Sequence, residues 1–295
     1  MTKDKFHEPV LVHEVLEALK APLKNQARVI DATVGSAGHS LAIVDSGGKI
    51  LGIDEDKEML EVAEQRLGKT GGSFKLVHGN FRNIDEIAKK EGFVGADAIL
   101  FDLGVASVQL TSEERGFSFS NPEANLDMRI DKTFQNLTGA DLLNGLRKEH
   151  LTVLFQKVLN PFAARKIARQ VLRQREAKKI TTVGDFLEIC RVVKGKPGLH
   201  PATLPFLALR MAVNCELENL EEALPKAFSL IRKGGKILVI TFHSGEEKVV
   251  VAFNRKAERE GLAKVLSEEP IVPKEDEVKG NPRARSAKLH ILEKI

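Results

Sequence analysis

The sequence contains no tryptophan and no tyrosine; its aromatic content, 5%, is carried by 15 phenylalanines. Any site that works by ring stacking is therefore limited to Phe and His. There are two cysteines, Cys190 and Cys215, too few for a disulfide framework or a thiolate metal cluster. Both fall in apolar helical patterns, where a buried thiol is the simpler reading, and a reducing, cytoplasmic setting is expected. No apolar run approaches the ~20 residues of a membrane-spanning helix. The opening MTKDKFHEPV does not have the layout of a signal peptide. Repeats and low-complexity linkers are missing as well.

What remains is 295 residues, 42% of them hydrophobic, enough for one large domain or a domain carrying a second. The net charge of +4 is mild, but it is unevenly spread. ARKIARQVLRQREAKK, Ala164 to Lys179, has seven basic residues against one Glu, and NPRARSAK near the C-terminus has three with no acid. Such runs fit either a solvated face or a nucleic-acid contact.

The first third alternates. RVIDATV, KILGID, FKLVHG and ADAILFDLG are short β-type apolar runs, separated by the helical patterns GHSLAIVDS, DKEMLEVAEQRLG and NIDEIAKKEG. This spacing predicts a parallel sheet with helices on both faces. From Val108 to Asn214 no buried strand is expected; five helical patterns follow one another, with starts at Thr138, Thr181-Thr182 and the Pro201 region. In Pro161 to Arg175, Ile167, Ala168, Val171 and Leu172 share one face while Arg165, Arg169 and Arg173 line another. Alternation then resumes with a helix, the strand GGKILVITFH, a further helix and a last strand in RARSAKLHILEK. The expected fold is α/β, a Rossmann-like sheet of 1–107 and 215–295 interrupted by a helical insert, 108–214.

DATVGSAGHS puts Gly35 and Gly38 just after the first strand, where parallel sheets bind ligands. Nineteen residues past Gly35, Asp54 closes KILGID, where an acid can accept hydrogen bonds from both ribose hydroxyls of an adenosine moiety. A phosphate loop is excluded because its Gly-Lys-Ser/Thr ending is missing, and Ala37 stands where a dinucleotide fingerprint needs its middle glycine. S-adenosylmethionine, which has no phosphate, makes weaker demands on that position. Either glycine alone also reads as a plain turn. Asp102, ending the fourth strand, brings a second carboxylate to the same crevice, with a helix-cap or loop acid as the alternative.

With FDLGVASVQL, ERGFSF, LDMRID, HPAT, FHS and NPRARS in succession, the chain resembles the bacterial ribosomal RNA small-subunit methyltransferase H family over nearly its whole length. The resemblance implies a class I S-adenosylmethionine-dependent methyltransferase acting on N4 of a cytidine in the decoding region of small-subunit (16S) ribosomal RNA. It implies cofactor contacts at Ala37, Gly38, His39, Asp54, Phe81, Asp102 and Gln109. Phe81 would pack on the adenine, or be a buried strand-end aromatic; His39 could equally be a helix-start residue bonded to a loop. Asp102 is the candidate acceptor for the target amine. Arg115, Arg165, Arg169, Arg173, His200, Arg283 and Arg285 are candidates for RNA contacts, and no metal is expected. Phe117 and Phe119 read as loop packing. Asp127, Arg129 and Asp131 read as an ion-pair latch between insert and sheet, ahead of a direct role with the target base.

The chain departs from the family pattern at Ser36-Ala37 and Ala106-Ser107, at Val158 to Pro161 in place of a Gly-Glu-Glu run, at Leu204 and Leu207, and at FHSGEE. These differences bear on RNA contacts and target choice more than on the cofactor. They motivate a second reading, a ribosome-assembly factor that binds RNA without methylating it.

Overall fold

Four strands open the chain in the alternation expected: β1 (Arg28–Asp31), β2 (Lys49–Asp54), β3 (Phe74–His78) and β4 (Ala96–Asp102). They are joined by α2 (Gly38–Asp45), α3 (Lys57–Leu67) and α4 (Ile84–Lys90), with α1 (Val12–Leu23) ahead of them. The computed structural model describes residues 9–104, 115–195 and 198–295. Near the C-terminal end come α10 (Glu216–Leu230), β5 (Ile231–Thr241), α11 (Ser244–Arg259), β6 (Ala263–Val265), α12 (Glu275–Gly280) and β7 (Lys288–Lys294). The seven strands form one sheet, ordered β3-β2-β1-β4-β5-β7-β6. β1 to β5 pair in parallel, and β7 runs antiparallel to both β5 and β6. The sequence reading anticipated six strands; the three residues of β6 are too few to show a period.

Alternation within each strand explains the two faces. Ile99 and Phe101 of β4, with Ile237 and Val239 of β5, pack against α4, α10 and α11. Ala98 and Leu100, with Leu238 and Ile240, pack against the side formed by α1, α2 and α3. A sheet covered on both faces accounts for the nearly continuous apolar runs of its central strands.

The chain divides into two compact units, Met1–Ala106 with Leu217–Ile295, and Ser107–Glu216. The described part of the second unit holds α5 (Gly139–Gly145), α6 (Lys148–Gln156), α7 (Pro161–Ala177), α8 (Val183–Cys190) and α9 (Thr203–Val213). Thr138 and Thr182 each cap a helix through a reciprocal box with Asp141 and Asp185, which is why these threonines mark the starts. A lone bridge, Asn125 to Thr182, is the β-type pairing of this unit among the described residues. Cys190 is buried, and burial pushes its thiol up. Cys215 corrects the expectation of two buried thiols: it is exposed, at a helix junction whose left-handed backbone (φ 50°) carries the residue out of the apolar pattern.

Gly116, in ERGFSF, has φ 72°, and a methyl group there would overlap the Asn125 carbonyl oxygen and lie 3.2 Å from the Asp127 nitrogen. Backbone cannot yield as a side-chain tip can. Gly116→Ala is expected to destabilise the protein by about 2–4 kcal/mol, from overlap and left-handed strain together, read as a fall in the urea midpoint.

Candidate active site at the strand ends

The strand order reverses between β1 and β4, the point where an open parallel sheet leaves a crevice beyond its carboxyl ends. Three strands deliver a carboxylate there: Asp31 from β1, Asp54 from β2 and Asp102 from β4. Asp54 is half-buried. Its Oδ2 accepts the Gly35 N–H at 2.8 Å and its Oδ1 the Asp56 N–H at 2.8 Å, so the carboxylate is oriented by the glycine turn itself. Burial nonetheless pushes its pKa up to about 6, with the Asp56 and Asp31 charges acting in the same direction.

The turn between β1 and α2 is built to hold one shape. Gly35 (φ 48°) and Ala37 (φ 64°) are both left-handed, and the Arg66 guanidinium of α3 donates to the Ser36 carbonyl at 2.5 Å. Ala37 is a buried non-glycine in that conformation, a strain of about 1 kcal/mol that a glycine would not carry. The two glycines differ in what they admit. A Cβ on Gly38 would lie 2.9 Å from Pro9 Cβ and Cγ, so its smallness makes room for the chain's own proline. Over Gly35 the nearest atom to such a Cβ is the Thr33 carbonyl at 3.9 Å, and the space is open.

Asp102 is tied to the same turn, its N–H donating to Thr33 Oγ1 at 2.7 Å. Its Oδ2 lies 3.4 Å from Nε2 of His39, a buried histidine in the first turn of α2. Burial opposes a charge on His39, but the carboxylates of Asp102, Asp31 and Glu277 outweigh it and raise the pKa. Three buried polar atoms of this pair, Asp102 Oδ1 and both ring nitrogens of His39, make no hydrogen bond among the described residues. Such atoms are costly and call for a partner. Phe81, on the 3-10 turn Phe81–Asn83 after β3, is half-buried, its edge against the Phe101 ring at 5.7 Å. Gln109 lies outside the described residues.

Three residues of this site escaped the sequence reading. Asp31 is buried, its Oδ2 accepting the Ser40 hydroxyl at 2.6 Å and its Oδ1 the Thr33 N–H at 3.3 Å, and burial raises its pKa. The strand-end rule that singles out Asp54 and Asp102 applies to it equally. Thr33 and Arg66 act through contacts distant in sequence, and nothing local signals them.

Within the unit Ser107–Glu216, Arg165, Arg169 and Arg173 are exposed on α7 and Ile167, Ala168 and Val171 are buried. Arg115 is turned inward: its guanidinium donates to the Arg129 carbonyl at 3.1 Å and to that of Ile130, and it stands 5.5 Å from the Phe117 ring centre. His200 is exposed, stacked on Phe119 at 4.9 Å, and its Nδ1 accepts the Ala202 N–H at 3.2 Å. Phe117 is buried and Phe119 packs on Phe206, the packing roles expected of them. Asp127 and Arg129 form a two-pronged ion pair at 2.6 and 2.9 Å, and Asp131 accepts the Thr133 hydroxyl at 2.6 Å. The pair closes the insert on itself because Arg129, two residues from Asp127, also donates to the Gln135 carbonyl. In the sheet unit, Arg283 and Arg285 are exposed on the 3-10 turn Pro282–Ser286.

No helix among the described residues is long and apolar enough to cross a membrane. Residues 4–295 match the model of the MraW methylase family. A ribosomal RNA small subunit methyltransferase H of Methylacidiphilum infernorum is 41% identical over 98% of this chain and 94% of its own. Its namesake in Dictyoglomus thermophilum is 39% identical over 99% and 97%. A crystal structure of an rRNA methylase from Streptococcus thermophilus is 13% identical, covers 100% of this chain and 99% of its own, and has a TM-score of 0.48. With the α/β methyltransferase-type sheet in place and the match running through both units, the chain belongs to the MraW methylase family.

Proposed function

We propose that the protein transfers a methyl group from S-adenosylmethionine to the exocyclic N4 of a cytidine in the decoding region of small-subunit ribosomal RNA. One observation carries the reading: the buried, unpartnered Oδ1 of Asp102 beside the glycine turn, a hydrogen-bond acceptor held ready at the mouth of the sheet. The residues present fit the cofactor. Asp54 keeps a free lone pair on each oxygen for two ribose hydroxyls, Phe81 offers a ring to the adenine, and Gly35 leaves open space above the turn. Ala37 ends the same turn, and Gly38 and His39 open α2 directly after it, the last as the neighbour of Asp102.

When bound, S-adenosylmethionine supplies a methyl already activated by its sulfonium. The protein's task is alignment. A cytosine amine is a weak nucleophile because its lone pair is delocalised into the ring. Asp102 Oδ1, accepting a hydrogen bond from that amine, favours the pyramidal nitrogen and takes up the charge that grows as the new bond forms. The amine proton leaves after transfer, and Asp102 is the group placed to receive it. His39, 3.4 Å from Oδ2, orients the carboxylate from behind. A base reaches such a crevice only by leaving its stack. The exposed Arg165, Arg169, Arg173, Arg283, Arg285 and His200 supply phosphate contacts, which position RNA without reading it. Arg115 serves by holding the ERGFSF loop to the LDMRID backbone.

The deciding experiment is mass spectrometry of small-subunit ribosomal RNA from cells with and without the protein, where one N4-methylcytidine should vanish with it. Asp102→Asn should lower kcat for methyl transfer to small subunits by about 10²-fold or more. Turnover equal to wild type removes Asp102 from the mechanism, and RNA binding with no turnover even by wild type favours the assembly-factor reading. Asp54 gives a pH signature. The ionised carboxylate accepts the ribose hydroxyls and the free protein protonates it near pH 6, so cofactor affinity should be flat above that pH. Below it, affinity should fall by up to about tenfold per unit. Asp54→Asn should bind at least about tenfold more weakly and without that pH dependence, by calorimetric titration. Arg169→Ala should weaken RNA binding across sequences and reduce the slope of log K against log salt by about 0.7–0.9.

A further inference from the structure

α7 breaks its own pattern at one position. At about 100° per residue, Phe162, Lys166, Arg169 and Arg173 project in nearly one direction, opposite the buried Ile167 and Val171, and Arg165 borders them. An aromatic ring thus stands on the charged face rather than the core face. It is 62% exposed, more than any other large hydrophobic residue of the described chain. Its place is fixed by local chemistry: Asn160 caps the helix by accepting the Ala163 N–H at 2.9 Å and Pro161 occupies the first turn, so Phe162 cannot turn inward without unwinding the start. The cations around it lack acidic partners. Among the described residues no carboxylate oxygen lies within ion-pairing distance of Lys166, Arg165, Arg169 or Arg173, and the one acid of this helix, Glu176, lies in its last turn. Lys166 instead rests its ammonium over the Phe162 ring at 4.9 Å.

We propose that this face takes an unpaired RNA base on the Phe162 ring, with Lys166, Arg169 and Arg173 holding the phosphates on either side. The proposal rests on the reading that the substrate is RNA, and adds to it a stacking platform outside the catalytic crevice. A row of unneutralised cations about 6 Å apart along the helix suits a polyanion, and an exposed ring within that row suits one with flat aromatic bases. The ammonium over the ring marks the binding position. A base displaces it, and Lys166, on its flexible stem, moves to the adjoining phosphate, so that the cation–π contact is exchanged for stacking and an ion pair. The Asn160-Pro161 start is what seats the ring here.

The missing aromatics make the test clean. With no Trp or Tyr elsewhere, Phe162→Trp creates a protein with a single tryptophan. The full-length variant is titrated with a small-subunit ribosomal RNA transcript, and in parallel with inorganic polyphosphate, which has charge but no bases. Saturable quenching by the transcript, at the concentrations where filter binding saturates, and none by polyphosphate, is the expected result. Phe162→Ala, a surface change that leaves the circular dichroism intact, should weaken transcript binding roughly 5- to 150-fold with an unchanged salt slope. Lys166→Ala should reduce the slope. Transcript binding without quenching, equal quenching by polyphosphate, or a Phe162→Ala affinity equal to wild type overturns the proposal. Methyl transfer by the wild type to small subunits is measured alongside. If it proceeds while the tryptophan stays silent, only the stacking platform is lost; if the wild type neither methylates nor binds the transcript, the RNA reading fails and takes the platform with it.

Discussion

β1 is four residues long, and it pairs in parallel on one side with β2 and on the other with β4, the two strands that carry Asp54 and Asp102. Its register sets the height of everything at the mouth of the sheet. Asp31 stands level with Gly52 on one side and Leu100 on the other. Asp54 and Asp102 each come two residues later, on the same side of the pleat as those partners, so both carboxylates rise about 6–7 Å above Asp31. A slip of one residue in either pairing would turn one of them to the opposite face of the sheet. The turn that follows β1 then ties both down: the Gly35 N–H to Asp54, the Thr33 hydroxyl to the backbone of Asp102. The crevice is a property of backbone register first and of side-chain chemistry second.

The insert is held by a different economy. ERGFSF and LDMRID meet through the Met128 N–H on the Arg115 carbonyl at 2.9 Å and through the Arg115 guanidinium on the carbonyls of Arg129 and Ile130. Asn214 closes the arrangement from α9, accepting the Ile130 N–H and donating to the Met128 carbonyl, both at 2.9 Å. Two neighbouring signatures and the distant Asn214 are thus one hydrogen-bonded knot, in which irregular backbone is satisfied by polar side chains rather than by a sheet. His243 and Glu246 do similar work in the sheet unit. The imidazole accepts N–H groups at the start of α11, and the carboxylate reaches back to Phe242 and His243, a capping box with histidine in the usual serine position.

The parallel strands and their helices were legible because both periods, two and 3.6, run through long apolar stretches, and the threonines at 138 and 181–182 marked two of the insert's helix starts. Asp54 and Asp102 were legible from position alone, as acids closing β-type runs. Other features were not. The inward turn of Arg115 depends on carbonyls fourteen and fifteen residues away. The tight packing of Pro9 over Gly38 involves a residue whose nearness no periodicity encodes. A glycine packed under its own chain and one that is not look the same in sequence, and only three-dimensional packing separates Gly38 from Gly35. The exposure of Cys215 follows from one left-handed residue at a helix junction, a backbone choice that its apolar neighbours conceal.

Asp102 and Ile240 lie side by side in the sheet although 138 positions (240 − 102) separate them along the chain. Joining β4 to β5 therefore closes a very large loop, and because closure entropy grows only with the logarithm of length, the thermodynamic penalty is modest while the kinetic one is not. Condensation of the Ser107–Glu216 stretch into a unit of its own shortens the effective tether. Pairing across such a separation is the kind that slows folding, so the pace at which the two halves of the sheet meet depends on how compact the intervening stretch is.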